Sequence, residues 1–270
     1  MTRVGKWVAD HLVLGLGLLV LLYLLTPIFV VVLMSFNDPA SRISYSFDGF
    51  TLDNWRNPCA PNGICESVVL SVQIGLLATL FATLLGTLMA FALVRHRFRG
   101  RGAANVLTFL PMASPEIVMG SSLLALFVSS GFAGALGFWT ILVAHILFCL
   151  SFVVVTVKAR LAGLDPRLEQ AAMDLYANEV QTFRKVTFPL VFPGIMAAAL
   201  LSFSLSFDDF IITNLNAGQE VTFPMYVWGA AQRGIPPQIN VIGTAMFVLA
   251  LALVLAGELR ARSSARTRSR

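Results

Sequence analysis

Charge is what this chain most conspicuously lacks. Asp, Glu, Lys and Arg make up 12% of its 270 residues, about half the share found in soluble globular domains. That scarcity excludes a fold bathed in water on most of its surface. Lysine is scarcer still: only Lys6, Lys158 and Lys185 occur, and none ends the spaced-glycine pattern of a phosphate-binding loop. H-E-x-x-H and G-x-S-x-G are also missing, which leaves zinc-protease and serine-hydrolase chemistry without support. Three cysteines are too few for a disulfide scaffold. The apolar runs do not alternate with polar residues, as the strands of a membrane barrel must.

What fills the sequence instead is hydrocarbon, with 57% hydrophobic residues and a mean hydropathy of +0.80. A helix crosses a bilayer with about 20 apolar residues. Six runs qualify, at approximately 12–34, 67–94, 105–129, 137–157, 190–214 and 239–258. The expected fold is an all-α membrane protein of six transmembrane helices in a single domain over 1–270. The first run, Leu12 to Leu33, has no small-residue cleavage site after a short core and is expected to stay as an anchor.

Apart from Arg42, Arg56 and Arg233, every Lys and Arg lies near a terminus or in the segments after the second and fourth runs. This asymmetry places both termini and the 158–189 loop in the cytoplasm. The formal net charge of +5 is therefore a topology signal, with no continuous basic surface for nucleic acid. The arginines from Arg260 onward read as a lipid-headgroup anchor.

Several local patterns carry further expectations. Ala78, Ala82, Gly86 and Ala90 recur every four residues in the second run, with Thr79, Thr83 and Thr87 one position on, and this spacing suits close helix packing. Pro111, Pro115 and Glu116 predict a bend in the third run. Cys59 and Cys65 bracket Pro61 and Asn62-Gly63, which favour a turn. On the outer, oxidising side a local disulfide is expected there, with two free thiols as the alternative. Cys149 reads as a small hydrophobe, and the isolated His145 as a packed or helix-bonded histidine in preference to a metal ligand.

The 158–189 loop is too regular for a linker. Asp165-Pro166 starts a short helix, on which Leu168, Ala171, Ala172 and Leu175 share one apolar face. Asn178 with Gln181 caps a second. Such helices could simply lie on headgroups. However, Glu169-Gln170-Ala171-Ala172, Asp174-Leu175 and Val186-Thr187-Phe188-Pro189 resemble the cytoplasmic "EAA" loop of ABC-importer permeases. In strict register Gln170 stands at the motif's Glu and Tyr176 at its Gly. Because a bulky side chain resists positive φ, the turn at Tyr176 is expected to differ. Ser114 to Met119, Leu201 to Asp209 and Met34 to Asn37 are similar to the second permease of spermidine/putrescine importers.

The resemblance implies a bacterial inner-membrane permease of type I, MetI-like architecture. It also implies a second homologous permease, two cytoplasmic ATPases holding ATP and Mg, and an extracytoplasmic binding protein. This chain would itself have no cofactor, metal or catalytic residue. Expected coupling residues are Glu169, Gln170, Ala171, Ala172, Asp174, Leu175, Tyr176 and Pro189.

Acids inside spans cost about 2.5–3.5 kcal/mol at a helix centre and so mark functional candidates. Asp208 and Asp209 fall near the outer end of the fifth run, where they either meet outside water or serve a cation pathway. Glu116 is a third pathway candidate, although a first-turn carboxylate at a helix N-terminus explains it as well. Glu258 closes the set. Permeases for other small solutes share these features. A secondary transporter would also show an internal repeat and about ten or more helices.

Overall fold

The computed structural model describes residues 3–41 and 46–268, without the side chains of 3–10, 253, 256 and 258–268. Arg42 and the side chains of Arg3, Lys6, Glu258 and the arginine-rich tail therefore lie outside the described residues. In chain order the helices are α1 (Arg3–Met34), α2 (Asp53–Arg56), α3 (Ile64–Arg95), α4 (Arg101–Ala113), α5 (Glu116–Ser129) and α6 (Phe138–Ala162). They continue as α7 (Arg167–Asp174), α8 (Glu179–Thr182), α9 (Phe188–Phe207), α10 (Ile211–Asn216), α11 (Phe223–Arg233) and α12 (Pro237–Arg268). Among the described residues the only β-type pairing is an isolated bridge between Asn37 and Phe50.

Four stretches are long and apolar enough to cross a bilayer: His11–Met34, Ile64–Arg95, Phe138–Ala162 and Glu179–Phe207. A fifth is available as α4 and α5, which bend by 108° between them. Pro115 causes this bend: its ring drives Ser114 into extended backbone (φ −80°, ψ 138°), and α5 restarts at Glu116. The described apolar part of α12, Pro237–Ala252, is shorter than a full span.

The fifth run departs from expectation. Instead of a continuous helix over 190–214, α9 ends at Phe207 and α10 begins at Ile211. The Asp209 carboxylate takes the backbone N–H groups of Ile212 (3.4 Å) and Thr213 (2.8 Å), a local bond that competes with the helix ladder.

The chain divides into two compact units. In the first, residues 1–65 and 227–270, α12 packs on α1 and α2. A polar knot follows α1: Asn37 Oδ1 accepts the Asp48 N–H (2.8 Å), Asn54 Nδ2 donates to the Asn37 carbonyl (2.8 Å), and Trp55 Nε1 donates to Ser35 Oγ (3.2 Å). Phe36 stacks on both Phe50 and Trp55. Cys59 and Cys65 are joined in a disulfide, with Cα atoms 5.4 Å apart.

The second unit, residues 66–226, holds a core on which α6 meets α9, α4 and α10. Ala82, Ala90, Val153, Val154, Val157, Val191 and Ala198 are all fully buried there. The small-residue stripe of α3 acts where expected. A Cβ on Gly86 would stand 2.6 Å from Val153 Cγ1 and 2.8 Å from its Cβ, so only a bare backbone fits against α6.

Between α7 and α8 the chain makes a Schellman turn. The Tyr176 N–H donates to the Met173 carbonyl (2.9 Å) and the Ala177 N–H to the Ala172 carbonyl (3.1 Å). Contrary to expectation, Tyr176 takes the left-handed conformation itself, at φ 62°. The two backbone bonds outweigh a Cβ penalty of about 1–2 kcal/mol. The capping box of Asn178 and Gln181 (2.8 and 3.1 Å) then starts α8 at once.

Two predictions follow from this packing. Gly86→Ala should destabilise the detergent-solubilised protein by about 1–3 kcal/mol, and Val153→Ala should recover part of the loss. A thermal unfolding midpoint unchanged in Gly86→Ala would show that the helices do not pack this closely. Tyr176→Gly should relieve the strained turn. Amide exchange at Ala177 should slow by up to about fivefold, the equivalent of roughly 1 kcal/mol, whereas unchanged or faster exchange would contradict a strain at this position.

Candidate functional site

Both ends of α9 carry the polar side chains that the second unit holds in place. At the break after Phe207, Asp209 and His145 are buried together, at 7% and 1% exposure. His145 Nδ1 lies 2.7 Å from Ser206 Oγ, and Nε2 lies 2.8 Å from Thr213 Oγ1 and 3.4 Å from Asp209 Oδ2. One proton assignment satisfies the whole chain. Ser206 O–H donates to Nδ1, Nε2–H donates to Thr213 Oγ1, and Thr213 O–H donates to Asp209 Oδ2 (2.9 Å). A neutral imidazole therefore suffices. This histidine is a cross-brace between α6 and α10, as a lone histidine in an apolar span suggested.

Two further bonds fix α10. Thr140 Oγ1 donates to the Asn216 carbonyl (2.7 Å), and Asn216 Nδ2 donates to the Gly120 carbonyl (3.2 Å). The approach at Gly120 is close: a Cβ there would stand 2.8 Å from Leu215 Cδ1 and 3.3 Å from Ile212 Cα.

The neighbouring acid is placed differently. Asp208 is exposed, and no side chain among the described residues is hydrogen-bonded to its carboxylate. It follows a run of aromatic rings in which Phe203 stacks on Phe207 and Phe207 lies against Phe223, with centroids 5.9 and 6.2 Å apart. Glu116, the third acid, is also exposed and stands in the first turn of α5, at the restart after Pro115. Its position fits a carboxylate facing the positive end of a helix dipole.

At the other end of α9, the loop helices present the apolar face anticipated from the sequence. Leu168 is 48% and Leu175 82% exposed, and Ala171 is exposed as well. Gln170, Asp174, Tyr176 and Pro189 also reach the surface, and Ala172 is half-buried. Glu169 differs from the rest. Its Oε1 accepts from Arg95 Nη2 and from Thr187 Oγ1, both at 2.6 Å. A π-helical turn, Phe183–Thr187, joins α8 to α9, a form frequent at functional sites. Its Phe183 ring packs edge-on against Phe91 of α3.

A groove of about 710 Å³ runs along α3 past the π turn to α9. Its lining is apolar apart from Thr79, Thr83 and Thr87, whose hydroxyls have no hydrogen-bond partner among the described residues.

Sequence reasoning missed His145, Ser206 and Thr213 as partners of Asp209, and Arg95 and Thr187 as partners of Glu169. The available signal was thin: a histidine alone in one apolar run and acids in another, and an arginine closing the second run with a glutamate far along in the 158–189 loop.

Comparison with known proteins agrees with this architecture. Residues 82–264 match the model of the family described as "Binding-protein-dependent transport system inner membrane component". The spermidine/putrescine transport system permease protein PotC of Haemophilus influenzae is 40% identical over 244 residues, which cover 90% of this chain and 93% of that protein. The putrescine transport system permease protein PotI of Escherichia coli is 34% identical over 228 residues, covering 82% and 80%. Among solved structures, a chain from a bacterial ABC transporter involved in the import of the acidic polysaccharide alginate superposes with a TM-score of 0.65 at 16% identity, over 95% of this chain and 98% of that one. A match over this much of the sequence settles the family: the chain belongs to the inner-membrane components of binding-protein-dependent transport systems.

Proposed function

We propose that this chain is one of two permease subunits of an ATP-driven importer of polyamines. The kinship with PotC and PotI supports the substrate class. The observation that carries the reading is the division of labour at the α9 break: Asp209 is consumed by internal bonds, while Asp208, the residue after the stacked Phe207, stays exposed. A carboxylate and ring faces are what a chain of ammonium groups calls for. Asp208 is accordingly the pathway residue, Asp209 its structural support, and Glu116 a helix-terminus group.

In this reading both termini and the 158–189 loop face the cytoplasm, and the Cys59–Cys65 turn faces outward. A binding protein delivers substrate there. A second homologous permease completes the pathway. ATP and Mg sit on two ATPase subunits, since this sequence has no phosphate-binding loop of its own. The face of Leu168, Ala171 and Leu175, exposed, with half-buried Ala172, is the surface that an ATPase covers.

Two tests address these assignments. A carboxylate about 4 Å from an ammonium gains roughly 4 kcal/mol at an effective dielectric of 20 before desolvation offsets much of it. Asp208→Asn should therefore lower uptake of labelled spermidine and putrescine by about tenfold or more, with the complex still assembled. Asp209→Asn should instead lower assembly and thermal stability. Normal uptake by assembled Asp208→Asn would exclude the pathway role, and a stable Asp209→Asn complex would refute the support role. Separately, Ala172→Arg should release the ATPase during copurification while the permease stays in the membrane; retained ATPase with normal uptake would refute the docking face.

A further inference from the structure

The loop helix α7 buries no residue of its own. An element so loosely seated transmits a push poorly unless a specific bond ties it to the body. The Glu169 carboxylate makes that tie, at a point where three elements meet. It extends from the first turn of α7 and binds Arg95, the last residue of α3, and Thr187, the last residue before α9, each at 2.6 Å.

Thr187 is buried, and the side chains of Arg95 and Glu169 are only 30% and 22% exposed. This ion pair is thus partly shielded from the water and salt that weaken fully exposed pairs. Both bonds are charge-assisted and directional. The neighbouring contact between α3 and the loop, Phe91 on Phe183, is an edge-on ring contact and defines direction less strictly.

We propose that Glu169 is a positioning residue that makes the loop helix move as one piece with the inner ends of α3 and α9. This role is distinct from docking, and it rests on the reading of 158–189 as the ATPase-facing loop. Gln170 and the apolar face remain free to meet the partner, while Glu169, one position earlier, points inward and carries the displacement to two spans. α9 is gripped a second time nearby, where Arg160 Nε donates to the Leu190 carbonyl (2.9 Å). Displacement of the loop then reaches the helix whose far end holds Asp208.

The test uses the complete importer reconstituted in proteoliposomes, with spermidine uptake and ATP hydrolysis measured on the same preparations. Glu169→Ala and Arg95→Ala should keep the ATPase bound and hydrolysing, while uptake per ATP falls by about tenfold. The double variant should fall no further than either single one, as expected for two members of one linkage. Glu169→Gln, which keeps an acceptor for Thr187 and loses the charge, should fall less. If Glu169→Ala fails to assemble in the membrane, Glu169→Gln decides on the same ratio.

Unchanged uptake per ATP in the assembled Glu169 variants would overturn the proposal, and so would additive losses in the double variant. Release of the ATPase by Glu169→Ala would also overturn it, by making Glu169 a docking contact. Ala172→Arg in the same series keeps the two ideas apart. Retention of the ATPase by that variant defeats the docking reading, whereas failure of the brace alone leaves Ala172→Arg releasing the ATPase as before.

Discussion

A backbone N–H or C=O freed from its helix inside a bilayer has no water to bind, so every interruption of a span must bring its own partners. The interruption after Phe207 carries an added cost, because it places an aspartate beside the loose backbone. Asp209 meets the requirement by accepting the N–H groups of Ile212 and Thr213. In doing so it becomes a buried carboxylate that needs donors of its own, and Thr213 O–H supplies one. Thr213 is held in turn by His145, and His145 by Ser206. The packing of α6 against α9 and α10 is thus dictated in part by one broken span.

A chain of an ABC transporter involved in the import of an acidic polysaccharide shares this fold at 16% identity, and a fold by itself does not set what is carried. Preference must come from the few polar groups at the breaks. Here the exposed acid at the break is Asp208, which follows Phe207 in sequence. That local chemistry distinguishes this member more sharply than its helices do, and it agrees in sign with the polyamine names of the relatives that match along most of the chain.

What could be read from the sequence was local in origin. Apolar runs became helices, Pro115 bent the third run, Asn178 and Gln181 formed their capping box, and the four-residue stripe through Gly86 lay against α6. Each depends on residues within one continuous stretch of chain. The break at Asp208 was hidden because an aspartate that captures the amides of Ile212 and Thr213 looks, in sequence, like an aspartate on a continuing helix. His145 and its partners lie 61 and 68 residues apart, and Arg95 and Glu169 lie 74 apart; no spacing rule reaches so far. Tyr176 was misjudged for another reason. A propensity argument weighs the Cβ penalty alone, whereas the turn also gains two backbone bonds and a capped helix immediately after it.

The two polar ends of α9 are joined by 20 residues of helix, a length of about 30 Å, and that helix is not uniformly stiff. Pro189 stands near its start and Pro193 inside its first turns, so the carbonyls that would have met their N–H groups are released from the ladder. Gly194 follows, and a Cβ there would stand 2.7 Å from Arg160 Cγ, so the arginine stem lies flat on the helix at its softest turn. Arg160 also takes the Leu190 carbonyl. The softened segment is therefore held from α6 at the place where Glu169, through Thr187, holds it from the loop. Beyond Gly194 no proline or glycine interrupts the helix up to Phe207. A tilt at the softened start, as the proposed coupling requires, would carry along the uninterrupted remainder to the break, where Asp209 is bonded to Ile212 and Thr213 and Asp208 is exposed.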